Sequence, residues 1–199
     1  LLSNDQFANY GIIKSKVIAT DLSAATVQVT GVTASNLLAA IAESTIDQVS
    51  LASSQSLTLS YANYQTYASV LSSKLSPSDL AGLTLTVNAV SGADVLTAAG
   101  VDAIDIVTLA VGQAVTMSYV QYAANQANFS KISNLLAATV TVNEVDNQDK
   151  ALLVSANNLV DIVTLSGTPS FSQSYSTYNA AANKLALAKI SNLADAVFT

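Results

Sequence analysis

Three aspartates recur at matching positions and are the residues best suited to chemistry. Asp47, Asp105 and Asp161 each stand near the start of a similar apolar segment, and these segments are 46–51, 104–109 and 160–165. Carboxylates at regular spacing offer ligands for Ca²⁺, which takes about six to eight oxygens. The alternative is that each carboxylate is solvated or bonded to a neighbouring backbone amide. The chain has no D-x-D-x-D-G loop, which favours the alternative.

The densest acidic cluster is Asp146-Asn147-Gln148-Asp149, with Glu144 just before it. Such a cluster can hold a cation. It is also typical of a helix start, where Asp or Asn caps free amides near the positive end of the helix dipole. We favour the helix start.

Tyrosines and threonines form two further repeated patterns. A row of tyrosines at helical spacing is a candidate platform for sugar rings, although such residues are more often core material with the hydroxyl at a polar edge. The row comprises Tyr61, Tyr64, Tyr67, Tyr119, Tyr122, Tyr175 and Tyr178. Outward threonines are a candidate template for ice or polysaccharide, but we favour ordinary solvent-facing strand positions as the simpler explanation. These are Thr84, Thr86, Thr139 and Thr141.

Enzymatic groups are scarce. The chain has no His to act as a general base and no Cys. Ser72 and Lys74 are two residues apart and do not face each other on a helix. Its seven glycines are scattered and form no phosphate-binding loop. We therefore predict that the protein is not an enzyme, with no catalytic, cofactor-binding or metal residue assigned; Ca²⁺ is the only cofactor with a candidate site.

Composition restricts the partners. The net charge is −6, only 10% of the residues are charged, and all seven cations are Lys. Nucleic acids and anionic membranes need clustered cations, so we expect neither as a partner. No apolar run approaches the roughly 18 residues of a membrane span. A low-charge chain without Cys is typical of exported surface proteins. The chain lacks an initial Met and a signal pattern, so we expect it to come from inside a longer polypeptide.

The elements that position these residues repeat about every 57 residues, which is the pattern of stacked supersecondary units. Ser60, Ser118 and Ser174 each begin a predicted helix as its N-cap. Apolar residues at helical spacing follow, extending to Leu75, Ile132 with Leu136, and Ile190. Lys74, Lys131 and Lys189 recur at the far end, where a cation meets the negative end of a helix dipole.

Two strands and a shorter helix complete each predicted repeat. Strict alternation predicts strands at 26–30, 84–88 and 139–143. A short helix carries Leu37, Val95 or Leu152, with Gly100 as a stop. The Asp-led segments 46–51, 104–109 and 160–165 form the other strand. Loops at Ser53-Ser54, Gly112 and Gly167-Thr168-Pro169 then lead to the next capping serine.

The repeat resembles those of long secreted bacterial proteins, including hemolysin-type (RTX-like) and giant surface proteins. The matching motifs are Val115-Thr116-Met117-Ser118, Gln121-Tyr122, Lys131-Ile132-Ser133-Asn134 and Thr139-Val140-Thr141-Val142. Ser174, Tyr178 and Lys189-Ile190-Ser191-Asn192 match again. The resemblance implies an exported structural or adhesive role in an S-layer, filament or stalk, and supplies no catalytic residues. The glycine-rich calcium nonapeptide of RTX proteins is absent, so no calcium roll is expected.

The sequence thus predicts an α/β fold, a solenoid-like stack of helix–strand–helix–strand repeats with parallel strands. The predicted repeats span 1–57 (partial at its start), 58–115, 116–171 and 172–199 (partial). We expect a self-assembling structural module of an extracellular or cell-surface bacterial protein, with further repeats or copies of the chain as partners. The alternative is an adhesin stalk that binds glycans or a surface. The residues expected at self-contacting end faces are Phe7, Tyr10, Ile190, Leu193, Val197 and Phe198.

Overall fold

A computed structural model describes residues 1–17, 19–172 and 174–198, with the side chains at positions 20, 175 and 198 outside the description. The fold is mixed α/β with small parallel sheets, as the alternating and helical patterns predict. The chain divides into two compact units: Leu1–Asn88 with Asp102–Ile106, and Ala89–Val101 with Val107–Thr199.

The strands of the described residues are grouped in four sheets with parallel pairing in each. Their orders are β1-β2-β3, β4-β5-β6, β7-β8-β9 and β10-β11. The strands are β1 (Leu2–Ser3), β2 (Gln28–Val32), β3 (Gln48–Leu51), β4 (Ser56–Ser60), β5 (Thr84–Val90), β6 (Ile106–Leu109), β7 (Ala114–Ser118), β8 (Thr139–Val145), β9 (Ile162–Leu165), β10 (Ser170–Phe171) and β11 (Val197–Phe198). We call the first, second and third strands of each sheet A, B and C.

Helices connect the strands, because parallel strands need a crossover. They are α1 (Asn4–Phe7), α2 (Tyr10–Lys16), α3 (Ala19–Ala24), α4 (Ala34–Ala42), α5 (Tyr61–Lys74), α6 (Pro77–Gly82), α7 (Val95–Ala99), α8 (Tyr119–Asn125), α9 (Gln148–Ser155), α10 (Tyr175–Asn179) and α11 (Ala181–Ala188). Three 3₁₀ helices lie at Gln126–Lys131, Leu135–Ala137 and Leu193–Asp195. The capping serines are confirmed: Ser60, Ser118 and Ser174 each accept from the backbone amide three residues on, at 3.2 Å.

The A strands correct the predicted repeat. Residues 56–60 and 114–118 were expected to be loop, but they form β4 and β7. Leu57 and Leu59 are buried between exposed neighbours, as Val115 and Met117 are in β7. This period of two is a strand pattern. Each full sheet therefore has three strands rather than two.

The long helix is also shorter than predicted in two of its three copies. Only α5 runs unbroken; α8 ends at Asn125, where a 3₁₀ helix takes over, and the last copy divides into α10 and α11. The apolar residues expected near the helix end lie beyond it, in parallel bridges to C strands. These bridges pair Leu75 with Val49, Ile132 with Val107, and Ile190 with Val163. Leu136 is 78% exposed and belongs to no helix face in the core.

The B strand of each three-stranded sheet contains a residue with positive φ. The residues are Gly31 (φ 67°), Ala89 (54°) and Glu144 (58°), and the register with the C strand shifts at this point in the first and third sheets. A left-handed residue in a strand is typical of a β-bulge. Only the first copy uses glycine, the residue that adopts this conformation without cost.

The core lies between the sheets and the helices. The inner residues of the B strands are fully buried, as at Val29, Val87 and Val142. Within each compact unit, the short helix of one copy packs on the long helical segment of the next: α4 on α5, and α9 on α11. Neighbouring copies therefore contact each other through these helices and through the parallel bridges of Leu75, Ile132 and Ile190.

Candidate functional site: the edge clamp

The recurrent aspartates each form two hydrogen bonds with the start of a B strand. The Oδ2 atoms of Asp47, Asp105 and Asp161 accept from backbone amides at 2.7, 2.7 and 2.8 Å. These amides belong to Val27, Leu85 and Val140. Each Asp also donates its own N–H to the carbonyl of the same residue, at 2.9–3.0 Å. The carboxylates are thus bonded to neighbouring amides, which was the alternative to calcium.

The three aspartates lie in different sheets and do not converge. In the described part of the chain, no group of three or more His, Cys, Asp or Glu residues is placed to hold a metal ion. Each carboxylate has one oxygen left for solvent, and the side chains are exposed.

The repeated residues after the long helix close the sheet edges. Ser133 donates its backbone N–H to the carbonyl of Val107 at 2.9 Å, and Ser191 donates to Val163 at the same distance. The next residue, an asparagine, uses its side-chain amide. We call the Ser and Asn pair, Ser133-Asn134 or Ser191-Asn192, the edge clamp.

The asparagine of the clamp forms two bonds with one residue of the C strand. Asn134 Oδ1 accepts from Leu109 N at 2.9 Å, and Nδ2 donates to the Leu109 carbonyl at 3.1 Å. Asn192 bonds to Leu165 with distances of 2.8 and 3.1 Å. An edge strand carries unpaired N–H and C=O groups that can recruit another chain. The clamp satisfies these groups from within the same chain.

The first copy uses a different residue at this place. Asp79, at the start of α6, accepts from Leu51 N at 3.1 Å and from Ser50 Oγ at 3.4 Å. A carboxylate accepts but does not donate, so it supplies no bond to the Leu51 carbonyl. The edge clamp is therefore complete only in the second and third sheets.

The recurrent lysines bond to the backbone just after the short helices. Lys74, Lys131 and Lys189 donate Nζ to backbone carbonyls of Glu43, Val101 and Asn157 at 2.7, 3.0 and 2.8 Å. These carbonyls follow α4, α7 and α9, so each cation serves the C-terminal end of the preceding short helix rather than its own. Burial lowers the pKa of Lys74, against the opposing charges of Asp47 and Glu43.

Glutamines link the segment before an A strand to the start of the short helix in the same copy. Gln55 Oε1 accepts from Ala34 N at 2.8 Å, and Gln113 Oε1 accepts from Gly92 N at 3.1 Å. Both amides lie at the entry to a short helix. At Gly92 the contact is tight, because a Cβ there would lie 1.8 Å from the Ala114 carbonyl.

The tyrosines form no continuous exposed row among the described side chains. Tyr122 is 2% exposed, packs on Phe129 with 5.7 Å between ring centroids, and accepts a hydrogen bond from Asn157. Lys150 lies 4.9 Å from the ring centroid of Tyr119. Tyr178 is 45% exposed, and the side chain of Tyr175 lies outside the described residues. Burial raises the pKa of Tyr64.

The threonines and the acidic cluster occupy the places that their patterns predict. Thr84 and Thr139 are exposed and Thr86 and Thr141 half-buried, on the outward face of their strands. In the cluster, Asn147 caps α9 by accepting from Lys150 N at 3.0 Å. Asp146 pairs with the Lys150 ammonium, which lowers the pKa of Asp146. Glu144 is the bulge residue.

Two of the residues expected at self-contacting end faces are internal. Tyr10 is 4% exposed and bonds to Thr45 at 2.8 Å, and Ile190 is 5% exposed in its bridge. Buried side chains cannot meet another molecule, so this part of the prediction is wrong. Val197 is 49% exposed, whereas the side chain of Phe198 lies outside the described residues. Phe7 and Leu193 are half-buried.

Two open grooves lie beside equivalent segments of successive copies. One has a volume of about 510 Å³ between residues 126–136 and Asn157–Leu159, and the other about 430 Å³ between residues 77–83 and 102–105. The first groove is lined by apolar residues with Gln126, Ser130, Ser133 and Asn157, and the second by apolar residues with Asp102 and Asp105.

Comparison with protein-family models, curated proteins and solved structures finds no match for this chain. No helix within the described residues has both the length and the apolar character needed to cross a bilayer.

Proposed function

We propose that this chain is a structural repeat module of a large exported bacterial surface protein. In this proposal, successive copies stack in a solenoid-like manner and the module self-assembles into an S-layer, filament or other extracellular array. The observation that carries it is the edge clamp, because Asn134 and Asn192 bond to consecutive sheets with matching distances. A contact that repeats along a chain extends the molecule in one direction and does not form a single cleft.

Composition supports the same role. The chain bears few charges and no Cys or His, so its polar surface depends on Ser, Thr, Asn and Gln. Such side chains keep a long exported protein soluble without strong charge repulsion between neighbouring copies. The tyrosines lend less support to a glycan-binding adhesin, since Tyr122 is buried and Tyr119 is covered by Lys150.

Self-assembly is tested by sedimentation velocity and negative-stain electron microscopy over a concentration series, in calcium and in EDTA. We expect concentration-dependent growth into regular filaments or lattices. Monomers at every concentration would overturn the assembly role.

A pair of variants makes the test specific to the expected end face. Val197 is 49% exposed, so Val197→Lys should place charge in the contact and abolish assembly without changing the melting temperature. Val111 is fully exposed in a turn elsewhere, and Val111→Lys is the matched control. Equal assembly by both variants would exclude Val197 from the contact.

A further inference from the structure

Helix α11 has an exposed face that is apolar except for one lysine. The helix packs on α9, and its Ala186 and Leu187 are buried. The residues on the opposite side are all exposed, and they are Ala181, Lys184, Leu185 and Ala188. Their spacing of i, i+3, i+4 and i+7 places the four side chains on one face. A helix that presents such a face is suited to an apolar groove on a partner.

Lys184 is a cation that has no partner within its own molecule. Most of the lysines bond within the chain, either to a carboxylate or to a backbone carbonyl. Lys16 and Lys184 form neither kind of bond within the part of the chain that the structure describes. Lys16 ends α2 beside Ser15, whereas Lys184 lies in the middle of an apolar face. Lys184 is therefore the cation best placed to meet an acidic group of another molecule.

The groove beside α6 has the complementary chemistry. Its volume is about 430 Å³, and it combines apolar walls, such as Leu80 and Ala103, with the carboxylates of Asp102 and Asp105. Both aspartates are exposed, and neither forms an ion pair with a described lysine. In the next copy Asn158 takes the place of Asp102, and no carboxylate lines that groove. The groove beside α6 is therefore the one that fits an apolar helix face with a cation on it.

We propose that the exposed face of α11 binds in the groove beside α6 of a second copy of the chain. Leu185, which is 71% exposed, enters between the apolar walls, and the Lys184 ammonium pairs with Asp102 and Asp105. The helix and the groove are different surfaces and every copy carries both, so the contact is heterologous and builds a ring or a filament. The inference rests on the proposed self-assembly and names one contact that produces it.

Charge reversal tests this contact in the full chain, by sedimentation velocity over a concentration series. Lys184→Glu and Asp102→Lys should each raise the concentration needed for assembly at least about tenfold, because like charges then face each other. An equal mixture of the two variants should assemble as wild type does. In the mixture the reversed helix meets the reversed groove, and the two unchanged surfaces meet each other.

Two control variants change the net charge by the same amounts at other exposed positions. Lys16→Glu and Asp21→Lys should each assemble as wild type does, and equal melting temperatures establish that all four variants fold. Assembly of Lys184→Glu at the wild-type concentration would overturn the contact, as would a mixture that assembles no better than its components. Both results leave assembly itself standing. Wild type that stays monomeric at every concentration would instead overturn the proposed function, and this contact with it.

Discussion

Asn134 stands in for a strand residue opposite Leu109, since its side-chain amide both accepts the leucine N–H at 2.9 Å and donates to the leucine carbonyl at 3.1 Å. The two residues are 25 positions apart, and β7, α8 and the 3₁₀ helix Gln126–Lys131 lie between them in the chain. Asn192 repeats the relationship with Leu165. A primary amide has the donor and acceptor that a peptide group has, so asparagine can end a sheet without adding a strand.

Asn134→Ala and Asn192→Ala should each lower the free energy of unfolding by about 1–2 kcal/mol, because two partly buried hydrogen bonds are lost. The measurement is urea unfolding followed by circular dichroism. Exposed Asn158 is the control, and Asn158→Ala should change stability by less than about 0.5 kcal/mol. Clamp variants as stable as this control would show that the amide bonds contribute nothing.

Val140 tests the orientation of β8. Its side chain is 2% exposed, so Val140→Asp places an unpaired carboxylate in the core and should cost at least about 3 kcal/mol, enough to unfold the adjoining copies. Neighbouring Thr139 faces solvent, and Thr139→Asp should leave the melting temperature nearly unchanged. Similar melting of the two variants would contradict the strand assignment.

The bulge residues predict stabilising substitutions. Ala89 and Glu144 hold positive φ, which costs roughly 1–2 kcal/mol for a residue with a Cβ. Glycine avoids this cost but loses more entropy on folding, so Ala89→Gly and Glu144→Gly should each gain about 0.5–1 kcal/mol. The helical Ala123→Gly should instead lose about 1 kcal/mol. Loss of stability in all three variants would contradict the left-handed conformation of Ala89 and Glu144.

The reverse substitution is available in the first copy. Gly31 has φ 67° and a Cβ there would meet nothing within 4 Å, so Gly31→Ala isolates the backbone cost. We expect a loss of about 1 kcal/mol. Gly82 also has free space around it but is helical, and Gly82→Ala should be neutral or stabilising in the same thermal melt.

Acidification should weaken the contact between Lys14 and Glu43, whose atoms are 2.8 Å apart. The Lys14 hydrogen bond holds the pKa of Glu43 below its ordinary value of 4.5. A lowered folded-state pKa gives stability that is complete above the unfolded pKa and is lost as pH falls through the folded one. Wild type should therefore lose more stability below pH 4.5 than Lys14→Met. Lys184 is exposed, and Lys184→Met is the control. If wild type and Lys14→Met lose stability equally as the pH falls, the contact between Lys14 and Glu43 contributes nothing to folding.

Calcium should have little effect on folding, because each recurrent aspartate already accepts a backbone amide at 2.7–2.8 Å. We expect equal melting temperatures in calcium and in EDTA. A clear rise in melting temperature with calcium would instead favour Asp47, Asp105 and Asp161 as calcium ligands. Loss of the rise in Asp161→Asn would then assign it to that site.

The alternating B strands, the Asp-led C strands and the capping serines could be predicted because each depends on local periodicity. The A strands carry the same alternation at Leu57 and Leu59 and were missed only because the adjoining serine suggested a loop and a cap. The end of α8 at Asn125 is different. The apolar spacing that continues past Asn125 fits a longer α-helix and also a 3₁₀ helix followed by an extended turn. The pairing of Ile132 with Val107 selects the second.

The edge clamp could not be predicted from local patterns. The repeated Lys-Ile-Ser-Asn motif was visible, but Ile132 fits a helix face and asparagine has no single structural meaning. Its role depends on Leu109, which lies 25 residues earlier at the end of β6. The available signal was the repeated Ser-Asn pair that follows Ile132 and Ile190.

The 25-residue interval between Leu109 and Asn134 also orders events in time. A chain that emerges amino-terminus first from a ribosome presents β6 before its clamp exists. The edge groups of β6 therefore stay unpaired until the segment that carries Asn134 has emerged and folded, and the same holds for β9 and Asn192. Slower synthesis would prolong the time in which these unpaired edge groups can bond to another chain.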